Sequence, residues 1–503
     1  MYSDFQMLLF STIPGQLNTI FSKTLMRYGF EPTTAMVSIV SSLIATSMGF
    51  GMLFCIFFIV PLMDSRGRKF VCVTLRFFIG SSSCIFQLLA AQFNSAEFFF
   101  VGQILVGCNY PIRLIVTIMF VGECAADKNR GFATTTLIVC DVLASLVMYS
   151  TSSPSVLGND SWFIYPLASF FMSLALFVTT AGLPESPKWL VRKNEHRAAA
   201  LAIRFYQDRE TNLVGVYEAL VRENNLTKSG KISLREVCTD PTLREALKIV
   251  IAVQLFLVTS PVPVERMYTV VLHNTLGLSV DQSLNVNFFT SLIFAPARFV
   301  GSYVIDIVGR RFVVYMAGAI MYLKVLIMAF AQFVAFEYGP CTLTRILVIV
   351  SEALSELITA TGISALATLL IVELFPPAAR VSVAQINVLL SMISALPLVT
   401  LYPILNAIFP PAFYVPLMIL QPFFIFFLHR RMPETKARAV CDIVAELDSD
   451  VRSRATTMYE YSPLIRIKAK SYTDLQNMVI REPRRPRAST VTAPDWEALR
   501  ELL

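Results

Sequence analysis

The feature that most constrains this chain is a series of about a dozen apolar stretches, each near 20 residues long and separated by polar segments. About 20 apolar residues in a helix cross the hydrocarbon core of a bilayer. Hydrophobic residues make up 55% of the 503 residues and charged residues only 15%, whereas a soluble domain carries about 25% charged residues. A chain this long and apolar cannot hide its apolar surface in one water-soluble globule. We therefore predict an all-α, multi-pass integral membrane protein.

The apolar pattern predicts twelve transmembrane helices in two pseudo-symmetric six-helix bundles. The predicted spans of the first bundle are 5–22, 34–63, 70–92, 97–121, 132–151 and 162–183, and those of the second are 246–270, 284–305, 312–336, 345–372, 381–405 and 407–428. The expected domains are a bundle at 1–183, an inter-bundle loop with short helices at 184–245, a bundle at 246–429 and a largely disordered tail at 430–503.

The basic residues of the chain are concentrated in alternate loops. They cluster at 64–69, 124–131, 306–311 and 374–380, as well as in the inter-bundle loop and the tail. Cytoplasmic loops carry an excess of Lys and Arg. We therefore expect both termini, the inter-bundle loop and the tail to face the cytoplasm, with the plasma membrane as the host membrane.

Several classes of function are disfavoured by the same composition. The net charge of +7 comes from loop clusters, so it does not indicate a nucleic-acid partner. Nine cysteines without a CxxC pair and three histidines without ligand spacing predict no metal site. The chain lacks the phosphate-binding loop GxxxxGK[ST]. We expect neither an enzyme nor a cofactor, and the sequence leaves the oligomeric state open.

Three short motifs recur in the same order in both halves, about 240 to 250 positions apart. Asp64-Ser65-Arg66-Gly67-Arg68-Lys69 returns as Asp306-Ile307-Val308-Gly309-Arg310-Arg311, the Glu123…Arg130 spacing returns as Glu373…Arg380, and Pro184-Glu185 returns as Pro433-Glu434. Chance does not explain three matches in one order. The repeat predicts a duplicated six-helix unit, a layout in which substrate binds between the halves.

These motifs resemble those of the major facilitator superfamily. The repeated DxxGR[KR] loop, the two E-x6-R loops, PESPKWL at 184–190 and PETK at 433–436 are similar to the sugar-porter and organic-ion branches. The resemblance covers the chain from the first span to about residue 440. It implies a carrier of a small organic solute that works by alternating access in the lipid bilayer.

Three further stretches resemble the organic-ion branch, the solute carrier 22-like proteins. They are Phe5-Gln6, the segment KISLREVCTDPTLRE at 231–245 and the segment PARFVGSYVIDIVGRR at 296–311. The chain departs from that branch, because it lacks a large ectodomain after the first span and a charged residue in 381–405. In addition, Ser65 and Gln103 stand where that branch usually carries arginines. It departs from the sugar branch because span seven has Gln254 alone, without a second glutamine beside it.

The repeated loops predict a gate. An acid near a helix N-terminus is stabilised by the helix dipole and pairs with Arg or Lys. Such clusters can latch the two halves together and open when the halves rock, with the E-x6-R loops as partners; ordinary loop charge is the alternative. The candidate gating residues are Asp64, Gly67, Arg68, Lys69, Glu123, Arg130, Asp306, Gly309, Arg310, Arg311, Glu373 and Arg380.

Charged residues inside the predicted spans are the candidates for substrate binding, because intramembrane charges are costly and usually face the protein interior. Arg298 lies about 12 Å from the end of span eight, and either a substrate anion or a carboxylate of the chain would neutralise it. Arg113 and Asp141 are expected to form an ion pair between spans four and five. Two further candidates are Tyr268, which follows a proline pair, and Glu356.

Two other charged side chains lie at similar depth in the second half. Lys324 and Glu356 stand in a relation like that of Arg113 and Asp141, and Glu352 lies one helical turn from Glu356. The two glutamates suggest a role in proton coupling. From the residues and the resemblance together, we expect a secondary or facilitative carrier of an organic ion, with an anion favoured. The alternatives are a sugar or neutral-solute porter and a transporter-like receptor or accessory protein that does not transport.

Overall fold

The computed structural model describes residues 2–125, 130–207, 213–228, 234–363, 366–375 and 377–434. Within these ranges the regular secondary structure is entirely helical. Each of the twelve predicted spans falls on one helix or on consecutive helical segments. The predicted tail from residue 435 onward lies outside the described residues.

The first half forms nine α-helices joined by short turns. They are α1 (Tyr2–Thr12), α2 (Pro14–Arg27), α3 (Thr34–Phe54), α4 (Leu62–Arg66), α5 (Arg76–Phe93), α6 (Ala96–Pro111), α7 (Ile118–Cys124), α8 (Arg130–Thr151) and α9 (Ile164–Thr180). π-Helical turns at Cys55–Ile59, Phe70–Leu75 and Ile112–Thr117 and a 3₁₀ turn at Asp160–Phe163 complete these spans. The first span is broken at Ile13 (φ −123°), because Pro14 has no N–H and starts a new helix there.

The inter-bundle stretch and the second half complete the chain. Four short helices lie between the bundles: α10 (Pro187–Arg192), α11 (His196–Tyr206), α12 (Leu213–Lys228) and α13 (Leu234–Thr239). The second half consists of α14 (Pro241–Val258), α15 (Val262–Thr275), α16 (Val280–Val308), α17 (Arg310–Tyr338), α18 (Thr342–Ala360), α19 (Leu366–Leu374), α20 (Pro377–Ile408), a 3₁₀ turn at Pro410–Phe413 and α21 (Tyr414–Arg431).

Eight helical stretches among the described residues are long and apolar enough to cross a membrane. They are Thr34–Arg66, Phe70–Phe93, Ala96–Cys124, Asp160–Thr180, Pro241–Thr275, Arg310–Tyr338, Ser382–Ile408 and Pro410–Arg431. Many large apolar side chains on these helices are exposed, such as Phe58, Phe330 and Phe423. A continuous exposed apolar surface of this kind is stable only against lipid. The protein is therefore an integral, multi-pass membrane protein.

The helices pack as two bundles that meet along three pairs. Within the first bundle α6 packs against α3 and α5, and α5 packs against α9; within the second, α18 packs against α16 and α17, and α21 against α14 and α17. Between the bundles, α3 packs against α20, α8 against α16 and α1 against α15. We call the membrane face that carries residues 64–69 and 309–311 the motif face, and the other the opposite face.

Candidate functional site

The first copy of the loop motif forms a tight turn at the motif face. Gly67 has a φ of +110°, a left-handed conformation that residues with a Cβ rarely adopt. The turn starts a new helix, and the Glu185 carboxylate accepts hydrogen bonds from the backbone N–H groups of Arg68 and Lys69 at 3.0 Å. A carboxylate at a helix N-terminus satisfies free N–H groups and interacts favourably with the helix dipole.

The second copy repeats this arrangement. Gly309 has a φ of +102°, and the Glu434 carboxylate accepts hydrogen bonds from the backbone N–H groups of Arg310 and Arg311 at 3.0 and 3.2 Å. The Arg311 guanidinium donates to the Tyr315 hydroxyl. The glutamates of the PES and PET segments therefore have the same structural role in the two halves.

Each loop also carries a buried arginine that pairs with the acid of the E-x6-R loop. Arg68 is 5% exposed, and its Nε lies 3.1 Å from a Glu123 carboxylate oxygen. Arg310 is 8% exposed and lies 2.8 Å from the Glu373 carboxylate. Both pairs join helices of one bundle, whereas the sequence analysis expected such contacts to latch one bundle to the other.

The remaining candidate gating residues have other partners. Asp64 pairs with Arg68 and with Arg192 of α10, so it ties the loop to the inter-bundle stretch. Arg380 donates a hydrogen bond to the Phe375 carbonyl at 3.0 Å. The side chains of Arg130 and Asp306 lie outside the described residues. The gating role of the repeated loops remains a prediction.

Arg298, the leading substrate-binding candidate, is held by a carboxylate of the chain itself. Its Nε donates to Glu356 at 2.9 Å, and a second guanidinium nitrogen contacts the same oxygen. Ser291 donates to the other Glu356 oxygen at 2.7 Å. The two charged side chains are 17% and 11% exposed. From the sequence, either a substrate anion or a carboxylate of the chain was expected to neutralise Arg298. In the structure the Glu356 carboxylate does so.

The predicted ion pair between Arg113 and Asp141 is confirmed, with the Arg113 side chain 15% exposed. The expected relation between Lys324 and Glu356 is wrong, because Lys324 pairs with Glu265 of α15. This difference arises because residues at equal depth on neighbouring helices meet only when their side chains point toward each other. Lys324 is 0% exposed and Glu265 is 5% exposed, so this is the most deeply buried ion pair among the described residues.

Three ionisable residues of α15 were not predicted from the sequence: Glu265, Arg266 and His273. His273 is fully buried, and its Nε2 lies 3.1 Å from Glu352. Arg266 is exposed, and no ion pair of its side chain is present among the described residues. Glu265 and Arg266 fall inside the predicted span 246–270, where any charged residue is a functional candidate, so that rule would have found two of the three.

Tyr268 lies in an aromatic cluster at the contact between the bundles. Its backbone is non-helical (φ −125°, ψ 22°) within α15. Its ring lies 5.3 Å from that of Tyr402 and 5.7 Å from that of Phe10, which belongs to the first bundle. Tyr402 in turn contacts Phe413 at 5.1 Å. Among the described residues, the buried hydroxyls of Tyr402 and Tyr414 have no hydrogen-bond partner.

Uncharged amides are also buried in both bundles. Gln87 of α5 is fully buried, and among the described residues neither polar atom of its amide has a partner. The Gln103 amide nitrogen is in the same situation. In the second bundle Asn387 donates to Gln254 at 3.1 Å, and the Gln421 carbonyl oxygen lacks a partner within the described ranges. Buried polar atoms without partners are costly, so they mark places where a polar solute or water would be stabilised.

The bundles are hydrogen-bonded to each other in the half of the protein near the opposite face. Ser42 donates to the Thr400 carbonyl at 3.1 Å, and the hydroxyls of Thr46 and Thr400 lie 2.7 Å apart. Ser153 bonds to Asp281 at the end of α16. These contacts join the two bundles near the opposite face.

The duplicated bundles, the paired loop motifs and the contact surface between the halves define a membrane protein of the major facilitator type. The family model "Sugar (and other) transporter" matches residues 16–446. The chain therefore belongs to the sugar (and other) transporter family. The motifs of the sequence also resembled the organic-ion branch, but this match does not show membership of that branch.

Curated relatives are similar at low identity. Sugar transport protein 13 of Arabidopsis thaliana is 27% identical over 235 residues, covering 45% of this chain and 43% of the relative. The high glucose sensor RGT2 of Saccharomyces cerevisiae is 26% identical over 348 residues, covering 64% and 43%. Myo-inositol transporter 2 of Schizosaccharomyces pombe is 23% identical over 297 residues, covering 56% and 51%. The chain thus spans about half the length of the curated relatives it matches.

Solved structures share the fold over nearly their whole length. The partially occluded inward-open conformation of the xylose transporter XylE from E. coli has a TM-score of 0.65 at 16% identity, covering 87% of this chain and 98% of that one. The inward-open conformation of the same transporter has a TM-score of 0.62 at 15% identity, with coverage of 88% and 98%. At this identity the likeness concerns the fold.

Proposed function

We propose that this protein carries a small neutral solute with several hydroxyl groups, of the sugar or inositol class, across a membrane by alternating access. The observation that carries the proposal is the internal neutralisation of the buried cations. Glu356 holds Arg298 and Glu265 holds Lys324. A guanidinium that already donates two hydrogen bonds to a carboxylate gains little from an anionic substrate, because the anion must displace that carboxylate.

The uncharged polar atoms without partners support the same solute class. Tyr402, Tyr414 and Gln421 offer hydroxyl and amide groups in the second bundle, and Gln87 and Gln103 offer amides in the first. Sugars and inositols present many hydroxyls, each of which both donates and accepts. Aromatic rings beside such groups give an apolar surface for the carbon skeleton of the solute.

The named relatives support a neutral solute better than an organic anion. Two of them are named as transporters of sugar and of myo-inositol, and a solved relative in fold is named as a xylose transporter. A third is named as a glucose sensor, which supports the receptor alternative for this chain. Transport and sensing differ in whether bound solute crosses the membrane, so one assay separates them.

The orientation and the gate belong to the same proposal. We place the motif face in the cytoplasm, because it carries the basic loop residues and the exposed Arg430 at the end of α21. The Arg68–Glu123 and Arg310–Glu373 pairs would hold each loop rigid while the bundles rock. Asp64 would connect this motion to the inter-bundle helices through Arg192.

A second candidate solute is an organic anion, and the observation that favours it is Arg266. This side chain is exposed within the predicted span seven, and its charge acts on Tyr149 of the first bundle. It therefore lies beside the contact between the bundles. An anion bound there would be neutralised without breaking any ion pair of the described residues.

Uptake into cells that express the full chain distinguishes these candidates. The panel comprises labelled D-glucose, D-xylose, myo-inositol and a dicarboxylate, with the Arg266→Gln variant at matched surface expression. We expect saturable uptake of a neutral solute that Arg266→Gln retains. Uptake of the dicarboxylate alone, lost in Arg266→Gln, would overturn the neutral-solute proposal in favour of the second candidate. Solute binding without uptake would indicate a sensor.

A further inference from the structure

We propose that the second bundle contains a binding site for one proton, formed by His273 of α15 and Glu352 of α18. The His273 Nε2 lies 3.1 Å from a Glu352 carboxylate oxygen, and its Nδ1 lies 2.7 Å from the Ser283 hydroxyl. His273 and Ser283 are fully buried, whereas the Glu352 side chain is 12% exposed. Glu352 is therefore the more exposed member of the pair.

Charge balance in the surrounding network singles out this pair. The buried network contains six ionisable side chains on α15 to α18: Glu265, His273, Arg298, Lys324, Glu352 and Glu356. Two of the three carboxylates pair with side chains that are normally cationic, Lys324 and Arg298. Glu352 alone faces a histidine, the side chain that ordinarily changes charge between about pH 5 and 8.

The network is therefore balanced only when the His273–Glu352 pair holds one proton. Without that proton it carries one excess negative charge in the membrane interior, where an unpaired charge is costly. Among the other described charged residues of these helices, Arg266, Asp281, Glu337 and Arg345 are exposed and lie outside the buried set. Arg310 and Arg311 lie at the motif face beside Glu434. The phenols of Tyr149 and Tyr414 lie near Glu352 and are neutral in this pH range.

The packing of α16 against α18 provides independent support for a site at this position. Ser283, Asn287 and Ser291 lie four residues apart on one face of α16, opposite Glu352 and Glu356 on α18. Asn287 is 4% exposed, and its amide nitrogen has no hydrogen-bond partner among the described residues. A buried donor between two carboxylate positions is satisfied when a water or a rearranged carboxylate accepts from it.

The proton site is placed to couple with transport, an extension that rests on the function proposed above. Glu352 and Glu356 lie close enough to act on Tyr149 of α8, and α8 packs against α16 across the contact between the bundles. Movement of α8 away from α16 would change the access of water to Glu352. A proton bound from one side of the membrane would then be released to the other, together with the solute.

Proton uptake by the purified full chain tests the site without any solute. A pH-sensitive dye records the protons bound per chain between about pH 8 and 5, the range of histidine titration. Glu352→Gln keeps the shape of the side chain and a hydrogen bond to His273. It is expected to bind about one proton fewer than the wild type, whereas Glu337→Gln, at an exposed position of α17, is expected to match the wild type.

Equal uptake by the wild type and a well-folded Glu352→Gln would overturn the site. Glu352→Ala provides a second test if Glu352→Gln aggregates, and it should also bind about one proton fewer than the wild type. If neither variant folds, the chain with His196→Gln and His429→Gln decides, since His273 is then the one histidine left of three and uptake of less than one proton per chain in this range excludes the site.

A pH gradient across proteoliposomes tests the coupling. With one proton per solute, a difference of one pH unit allows about tenfold accumulation of labelled D-xylose or myo-inositol, because one unit is a factor of ten in proton activity. Glu352→Gln should lose this accumulation, and Glu337→Gln should retain it. Accumulation driven only by a sodium gradient would overturn the proton assignment. Failure to carry any neutral solute, with the proton difference intact, would refute the proposed transport function and leave the proton site standing.

Discussion

Replacement of Glu356 by glutamine is expected to destabilise the second bundle by about 3 kcal/mol. Removing one partner of a buried ion pair costs about 3–5 kcal/mol, because the other charge is left uncompensated. The Arg298 and Glu356 side chains are 17% and 11% exposed, so water offsets part of this cost. Glutamine also keeps an acceptor for Ser291, which donates to the carboxylate at 2.7 Å. The expected value therefore lies near the lower end of the range.

The measurement is the thermal unfolding midpoint of the purified chain in detergent, with a double-mutant cycle. One kcal/mol corresponds to about 2–4 °C for a domain of 150–250 residues, so Glu356→Gln should lower the midpoint by several degrees. Arg298→Gln should also lower it, because it leaves a buried carboxylate. The double variant should lose about as much as Glu356→Gln alone, and not the sum of the two single losses, giving a coupling of about 2 kcal/mol.

The exposed Glu337→Gln change serves as the matched control and should leave the midpoint where it is. If the losses in midpoint of the two single variants simply add in the double variant, Arg298 and Glu356 do not stabilise each other and the expected ion-pair energy is refuted. Arg298 would then be available to a ligand, and the anionic candidate would regain its leading residue. The same result would remove the observation that carries the neutral-solute proposal.

Two further predictions concern the turn and the aromatic cluster. Gly67→Ala places a Cβ within 2.2 Å of the Glu185 carboxylate, and Gly309→Ala places one within 3.1 Å of the Glu434 carboxylate. Both substitutions also strain a backbone with positive φ, so the unfolding midpoint should fall in both variants, and more in Gly67→Ala. A midpoint equal to that of the wild type would contradict this. Tyr402→Phe removes a buried hydroxyl without a partner among the described residues, so the midpoint should not fall, while the KM for the transported solute should rise several-fold; an unchanged KM would exclude this hydroxyl from solute binding.

The bundles were predictable from the sequence because backbone polar groups in lipid must be satisfied within each helix. That requirement produces long apolar stretches, and all twelve predicted spans fall on helical segments. The repeat was predictable for a related reason. Gly67 and Gly309 each allow a conformation that other residues resist, so the turn preserves a recognisable pattern in both halves.

The partners of the intramembrane charges were not predictable in the same way. Depth along a helix follows from counting residues, but the face that a residue presents depends on how neighbouring helices are rotated and kinked. Arg298 and Glu356 are 58 positions apart and meet, whereas Lys324 turns to Glu265 of α15. The proline pair of span seven separates α15 from α14, and Glu265 and His273 lie on this second helix.

The organic-ion resemblance rested on residues that have structural roles here. Gln6 donates a hydrogen bond to Ser83 at 2.6 Å and is 1% exposed, so it joins α1 to α5. A buried residue that joins two helices in this way can distinguish one branch of a family from another through its packing contact alone. It says little about solute charge, which depends on how the buried cations are neutralised.

Counterflow by the purified chain in proteoliposomes tests the central claim most directly. Vesicles loaded with unlabelled D-glucose, D-xylose or myo-inositol are diluted into a trace of the same labelled solute, so that exchange concentrates the label without an ion gradient. We predict transient accumulation of label for at least one neutral solute and none for a dicarboxylate. Accumulation of the dicarboxylate alone, or tight binding of a sugar without exchange, would contradict the account.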